Sequence, residues 1–279
     1  MTERGSLDGV SRTALGVGVL RALHPIVDDR PLVLDDPIST VLFGDVARAR
    51  VDGGIAALLG DERANALRAH VLVRSAFAEE RLRQAAARGV RQAVVLGAGF
   101  DTFAYRQPPW MDGVRLFEVD APATQTDKRA RLAAADIAEP PNVVYAAIDF
   151  ERTALTDGLR DAGLDLGAPT FFSWLGVMVY LTRDAIDAVF RAVAAMPPGS
   201  EIALTFTQAI DSNVLAQRVG ELGEPFRTST TVAELETLLD RHGFREHTIL
   251  SPAEAQRYLG ARTDTLRLPP RASIAAAIV

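Results

Sequence analysis

The sequence contains no cysteine, which removes disulfides, thiolate metal sites and cysteine nucleophiles together. It also lacks a long apolar run. The longest, FFSWLGVMVYL from Phe171 to Leu181, falls well short of the roughly 20 residues that a membrane-spanning helix needs, and reads as a buried strand with its exit loop. Positive charge is not in excess: 30 Lys and Arg stand against 36 Asp and Glu, a formal net charge of −6. An acidic surface repels phosphate backbones, so neither nucleic acid nor a membrane is an expected partner. The N-terminal MTERGSLDGVSRT has no apolar core of the kind a secretory signal carries, and a cytoplasmic location is expected. No His/Asp/Glu cluster has ligand spacing, so no metal is expected either.

What is present is enough chain for one large α/β domain, or for a core domain plus a cap, in 279 residues of which 48% are hydrophobic. Residues 1–88 read as a helical N-terminal cap or lid. Thr13 to Leu23 and Asp61 to Arg88 carry apolar residues at helical spacing, with breaks expected at His24-Pro25 and Asp36-Pro37. From Gly89 to the C-terminus, short β-rich runs alternate with amphipathic helical stretches. The runs are Ala93–Leu96, Val114–Val119, Val143–Ile148, Thr170–Trp174, Glu201–Thr207 and Phe244–Leu250, and Ser273–Val279 offers a last strand to complete the sheet. This alternation predicts a doubly wound, Rossmann-like α/β sheet over residues 89–279.

The chemistry centres on VVLGAGFDTFAYR, Val94 to Arg106. A buried strand ends in Gly97-Ala98-Gly99, where the missing side chains let the backbone approach a ligand lying across the strand's carboxyl end. The same loop also serves purely structural turns. The next strand ends in Asp120, 21 residues after Gly99, the place from which an acid grips a ribose hydroxyl pair; Asp120 equally suits a helix cap ahead of Ala121-Pro122. Glu118 leaves the same face of that strand. Asp149-Phe150 closes the third strand with an acid and an aromatic, suited to an adenine amino group and its ring face, although Asp149 also fits as a cap of a helix from near Glu151. Trp174 and Tyr180 point either to a pocket wall at the end of the fourth strand or into the core.

Rossmann dehydrogenases use similar parts, and a nicotinamide-dependent oxidoreductase or an inactive nucleoside-binding module are the rival readings. The dinucleotide fingerprint wants a third glycine where Thr102 stands. Asp101 occupies the helix N-terminus where a pyrophosphate would sit, and a carboxylate there competes with phosphate. S-adenosylmethionine has no phosphate and carries an ammonium and a sulfonium, which suits an acid-lined site.

The stretches VRSAFAEERLRQAAARGVRQAVVLGAGFDTFAYR, FEVDAPATQTDKRARL and FFSWLGVMVYLT, with SRTALGVGVLRALHPIVDDRPLVLDDP ahead of them, resemble the leucine carboxyl methyltransferase-like family of bacterial S-adenosylmethionine-dependent methyltransferases, in its branch of tetracenomycin-type polyketide carboxyl methyltransferases. The resemblance implies a class I methyltransferase sheet with S-adenosylmethionine as cofactor. It implies that Arg74 binds the methionine carboxylate, that Gly97, Ala98 and Gly99 form the cofactor loop, that Asp120 binds the ribose, and that Asp149 with Phe150 clamps the adenine. One departure stands out: other branches carry a glutamate-glycine pair near the end of the fourth strand, where this chain has Trp174-Leu175-Gly176.

The expected reaction is O-methylation of a small-molecule or peptide acceptor, a carboxylate or a phenol, in keeping with secondary metabolism. A carboxylate is ionised at neutral pH and needs no base. A phenol benefits from one, for which Tyr105, Tyr180 and His24 are the candidates.

Overall fold

The computed structural model describes residues 9–54, 60–150, 154–208, 220–221, 223–271 and 273–279. Three helices come first: α1 (Arg12–Val27), α2 (Pro37–Asp52) and α3 (Glu62–Ala87). Strands and helices then alternate as β1 (Gln92–Leu96), β2 (Arg115–Asp120), α4 (Pro122–Ala134), β3 (Val143–Ala147), α5 (Leu155–Asp161), β4 (Thr170–Trp174), α6 (Arg183–Ala194) and β5 (Glu201–Thr205). The chain ends with α7 (Val232–His242), β6 (Glu246–Leu250), α8 (Pro252–Leu259) and β7 (Ile274–Ile278). Single 3-10 turns lie at Phe103–Tyr105, Pro109–Met111 and Met178–Tyr180.

The seven strands form one sheet in the order β3-β2-β1-β4-β5-β7-β6. Strands β1 to β5 are parallel, and β7 runs antiparallel to both β5 and β6. The C-terminal strand therefore completes the sheet from inside, pairing Leu204 with Ala275 and Leu250 with Ile274, and leaves β6 at the edge. Strand order reverses between β1 and β4, and in open α/β sheets the ligand crevice lies outside the carboxyl ends at such a switch point.

Alternation along the strands divides the core in two. Val94, Leu96, Phe117, Val119, Phe172 and Trp174 face α5, α6 and α7, whereas Ala93, Leu116, Phe171 and Ala203 face α3 and α8. Each fully buried aromatic or aliphatic side chain here contributes about 1.5–3 kcal/mol. A third cluster joins α1 to α2 through Val19, Ala22, Leu23, Phe43 and Ala47, and reaches Phe100 beside the glycine loop.

The expected break at Asp36-Pro37 is present, as Asp36 caps α2 through Ser39 N and Pro37 takes the first helical position. The expected break at His24-Pro25 is not: Pro25 lies inside the last turn of α1. Proline forfeits one ladder bond there, and the turn is held instead by Asp28 N donating to His24 O and by the side-chain hydrogen bonds of His24. Among the described residues no helix is long and apolar enough to cross a membrane.

Candidate functional site

Four strand ends meet at the switch point. β1 runs into Gly97-Ala98-Gly99, whose first two amides donate to Val119 O at 2.8 and 2.9 Å. Gly97 and Gly99 both have positive φ, +67° and +50°, in the left-handed region that glycine tolerates. A Cβ on Gly97 would drive into Val177, and one on Gly99 would stand 3.0 Å from the Cβ of Ala14 on α1. The loop is thus covered by α1 from one side and by the exit of β4 from the other.

Asp120, at the end of β2, ties this loop down. Its Oδ2 accepts from Gly99 N at 2.5 Å and its Oδ1 from Ala121 N at 2.7 Å. Burial pushes its pKa up, against the pull of those two bonds. The bond to Ala121 N is not a helix cap, for Ala121 is itself the N-cap of α4 and no side chain caps that helix; neither bond exhausts the lone pairs of its carboxylate oxygen. Glu118, two residues back, is wholly buried with Lys128, the chain's only lysine, 2.7 Å from each of its oxygens. Asp149 is exposed at the end of β3, and Phe150 is half-buried against the core; the expected helix start near Glu151 lies outside the described residues.

Arg74 sits on the face of α3 turned toward this edge. It is 9% exposed, its Nε has no hydrogen-bond partner, and no carboxylate pairs with it among the described residues. Burial, and then the charge of Arg21, pull its pKa down to about 10. Gly176 lies flat against it: a Cβ at that position would be 2.6 Å from Arg74 Nη1. Leu175, next to Gly176, supplies no acid. A buried guanidinium with no counter-ion among the described residues is costly, and an anionic ligand would offset that cost.

Asp101 faces the same region with the opposite charge. Its Oδ1 accepts from Phe103 N at 2.8 Å and its Oδ2 from Arg21 Nη2 at 2.6 Å. Burial alone would raise its pKa; the Arg21 and Arg106 charges outweigh that and hold it well below the usual carboxylate range. An orphaned cation and a firmly ionised carboxylate around a bare glycine loop fit a zwitterionic amino-acid group better than a phosphate.

The remaining candidates separate. Tyr180, in the 3-10 turn after β4, stacks edge-on with Phe226 at 5.5 Å, and burial raises its pKa while the Thr13 contact and the Arg74 charge lower it. It belongs to the neighbourhood of Arg74. Trp174 does not line a pocket: it is fully buried, 5.7 Å from Phe190 in edge contact, because it shares the strand face of Phe172. Tyr105 shares a hydrogen bond with Tyr145 and lies over Lys128, and burial with the Glu118 charge raises its pKa strongly. His24 has both ring nitrogens engaged, Nε2 accepting from Val33 N at 2.9 Å and Nδ1 therefore donating to Asp28 Oδ2 at 2.9 Å. It holds the chain end of α1 and has no free nitrogen to act as a base. Both Tyr105 and His24 are structural.

Two participants escape a reading of the sequence. Arg21 looks like one more helical arginine, yet it occupies the apolar face of α1. Glu224 stands in a stretch without pattern, and its Oε1 accepts from Arg12 N at 2.6 Å and its Oε2 from Ser11 Oγ at 3.1 Å, at the first turn of α1. A groove of about 850 Å³ between α6 and α7 holds none of these residues, and its Asp187 is paired with Arg191, Arg241 and His242.

Known proteins resemble this chain. Residues 14–194 match the family model described as leucine carboxyl methyltransferase. The chain belongs to the leucine carboxyl methyltransferase family. Relatives in it include YktD of Bacillus subtilis, 35% identical over 191 residues, 65% of this chain and 62% of that protein's length. A protein of Mycolicibacterium smegmatis is 35% identical over 237 residues, 81% of this chain and 77% of its own. Both are named for S-adenosyl-L-methionine-dependent methyl transfer. The fold is shared with a DUF574 family protein of Streptomyces avermitilis, at a TM-score of 0.56 and 18% identity over 98% of this chain and 99% of that one. A Thermobifida fusca protein carrying a methyltransferase name shares it too, at 0.56 and 19% over 94% and 93%.

Proposed function

We propose that this methyltransferase transfers the methyl group of S-adenosylmethionine to a carboxylate oxygen of a small-molecule or peptide acceptor. The observation that carries the reading is the buried Arg74 guanidinium, unpartnered at Nε and without a carboxylate partner among the described residues, beside the glycine loop. Arg74 would hold the methionine carboxylate, Asp101 the ammonium, Asp120 the ribose, and Asp149 with Phe150 the adenine. When bound, the cofactor supplies an electrophilic methyl on a sulfonium. What the chain's residues contribute is alignment and exclusion of water, which together account for a large part of such a barrier.

None of the candidates His24, Tyr105 and Tyr180 suits a general base, which favours an acceptor that needs none; Tyr180 stays protonated, its pKa raised by burial. His24 has no open nitrogen and Tyr105 is held by Tyr145. His70, one helical turn before Arg74, is kept neutral, its pKa pulled down to about 3 by burial and then by the Arg74 charge, which makes it a weak base. A carboxylate acceptor requires none. The N-terminal helices serve as the cap of this site, with the first turns of α1 as its movable part, where Ala14 meets Gly99 and Ser11 N donates to Thr124 Oγ1 at 3.1 Å.

The test is incubation with methyl-labelled S-adenosylmethionine and a panel of aromatic and aliphatic acids, phenols and amines, followed by mild alkali. Methyl esters release labelled methanol, whereas ethers and N-methyl products do not. Label appearing only in alkali-stable products would contradict the carboxylate assignment.

A further inference from the structure

Arg21 is 4% exposed, although it stands on a helix in the N-terminal segment. One nitrogen, Nη2, donates to Asp101 Oδ2 at 2.6 Å and to Ser75 Oγ at 2.7 Å; Nη1 lies 3.5 Å from Asp36 Oδ2. Each partner belongs to a different element. Asp101 follows the glycine loop, Ser75 is the residue after Arg74 on α3, and Asp36 caps α2, where it also accepts from Ser39 Oγ at 2.6 Å and Thr102 Oγ1 at 2.7 Å. Ser75 in turn donates to Val71 O at 3.1 Å, so its oxygen is fixed from both sides.

The geometry points to Arg21 as a positioning residue that sets the spacing between Asp101 and Arg74, and so tunes the site to an amino-acid zwitterion. This rests on the cofactor reading above. A guanidinium is a planar fork whose two protons on one nitrogen diverge at a fixed angle. With one of them on Asp101 and the other on the neighbour of Arg74, the separation of the two ligand-facing charges is set by the width of one rigid group. The Arg21 charge also keeps Asp101 ionised, and its repulsion keeps Arg74 in need of an anion. Because Arg21 sits on α1, the same contact ties the amino-acid end of the cofactor to the cap.

The experiment is calorimetric titration with adenosylhomocysteine, which has the amino-acid group, and with methylthioadenosine, which lacks it. Wild type, R21M, D101N and the double variant are compared, with melting curves to establish folding. R21M should bind adenosylhomocysteine about tenfold more weakly, as loss of a charge-assisted contact predicts, and methylthioadenosine unchanged. In the D101N background, R21M should add less than about twofold, since the two act as a unit. In turnover, R21M should raise KM for S-adenosylmethionine more than it lowers kcat. Should R21M fail to fold, R21K serves: it keeps the charge but loses the planar fork, and should bind adenosylhomocysteine more weakly with methylthioadenosine unaffected. Equal losses for both ligands, additive losses in the double variant, or unchanged adenosylhomocysteine binding in a variant whose parent binds it would overturn the role of Arg21. A wild type that binds neither ligand would instead overturn the cofactor reading on which it rests.

Discussion

The guanidinium of Arg74 lies against the backbone of Gly176 with no room for a side chain, a Cβ there meeting Nη1 at 2.6 Å and Nη2 at 3.0 Å. Gly176 also adopts φ +77°. The glycine is thus required twice, once by the backbone and once by the arginine it shelves.

Gly176→Ala should therefore damage both stability and cofactor binding. Gly199→Ala separates the two effects, for Gly199 has φ +89° and open space within 4 Å of where a Cβ would stand. Each variant should lose about 1–2 kcal/mol of stability from the left-handed conformation, read by chemical denaturation. Only Gly176→Ala should weaken adenosylhomocysteine, by about tenfold if one charged contact is misplaced. Equal binding by the two variants would remove Gly176 from the site.

The Glu118–Lys128 pair makes a stability prediction. Both side chains are at most 2% exposed, and removing one partner strands a buried charge. Lys128→Met should cost about 3–5 kcal/mol, while Glu118→Leu combined with Lys128→Met should recover most of that loss. Denaturation of the two single variants and the double one measures it. A Lys128→Met protein within about 1 kcal/mol of wild type, the size of ordinary surface effects, would show that the charge is compensated elsewhere.

Much of this was legible in the sequence, for particular reasons. Strand positions followed from β-rich runs with regular punctuation, and the glycine loop with Asp120 followed from their spacing. Trp174 was ambiguous only until alternation is applied: it shares its face with Phe172, which puts it in the core. His24 and Tyr105 looked like free bases because their partners, Val33 and Asp28 for one and Tyr145 for the other, are fixed by folding rather than by spacing. Arg21 and Asp101 are 80 residues apart, and a helical arginine among apolar neighbours does not announce its partner.

The N-terminal helices have a graded anchorage. Beyond Arg21, α1 is held by Asp28, which accepts from Arg68 Nε at 2.9 Å and Nη2 at 2.8 Å, all fully buried. Before Arg21, the helix is tied by Glu224 and by contact with Gly99. Hydrogen exchange should show protection rising in residues 10–20 on binding adenosylhomocysteine, with residues 21–36 already protected. Protection in residues 10–20 that is high and unchanged in the free protein would mean a fixed layer rather than a lid.

Arg74 holding the cofactor's carboxylate is the central assignment, and calorimetry on Arg74→Ala with adenosylhomocysteine and adenosine tests it most directly. The prediction is a loss of about 1.5–3 kcal/mol, roughly tenfold to a hundredfold, for adenosylhomocysteine and almost none for adenosine, which has no amino-acid group. Adenosylhomocysteine bound equally well by a folded Arg74→Ala protein would contradict it.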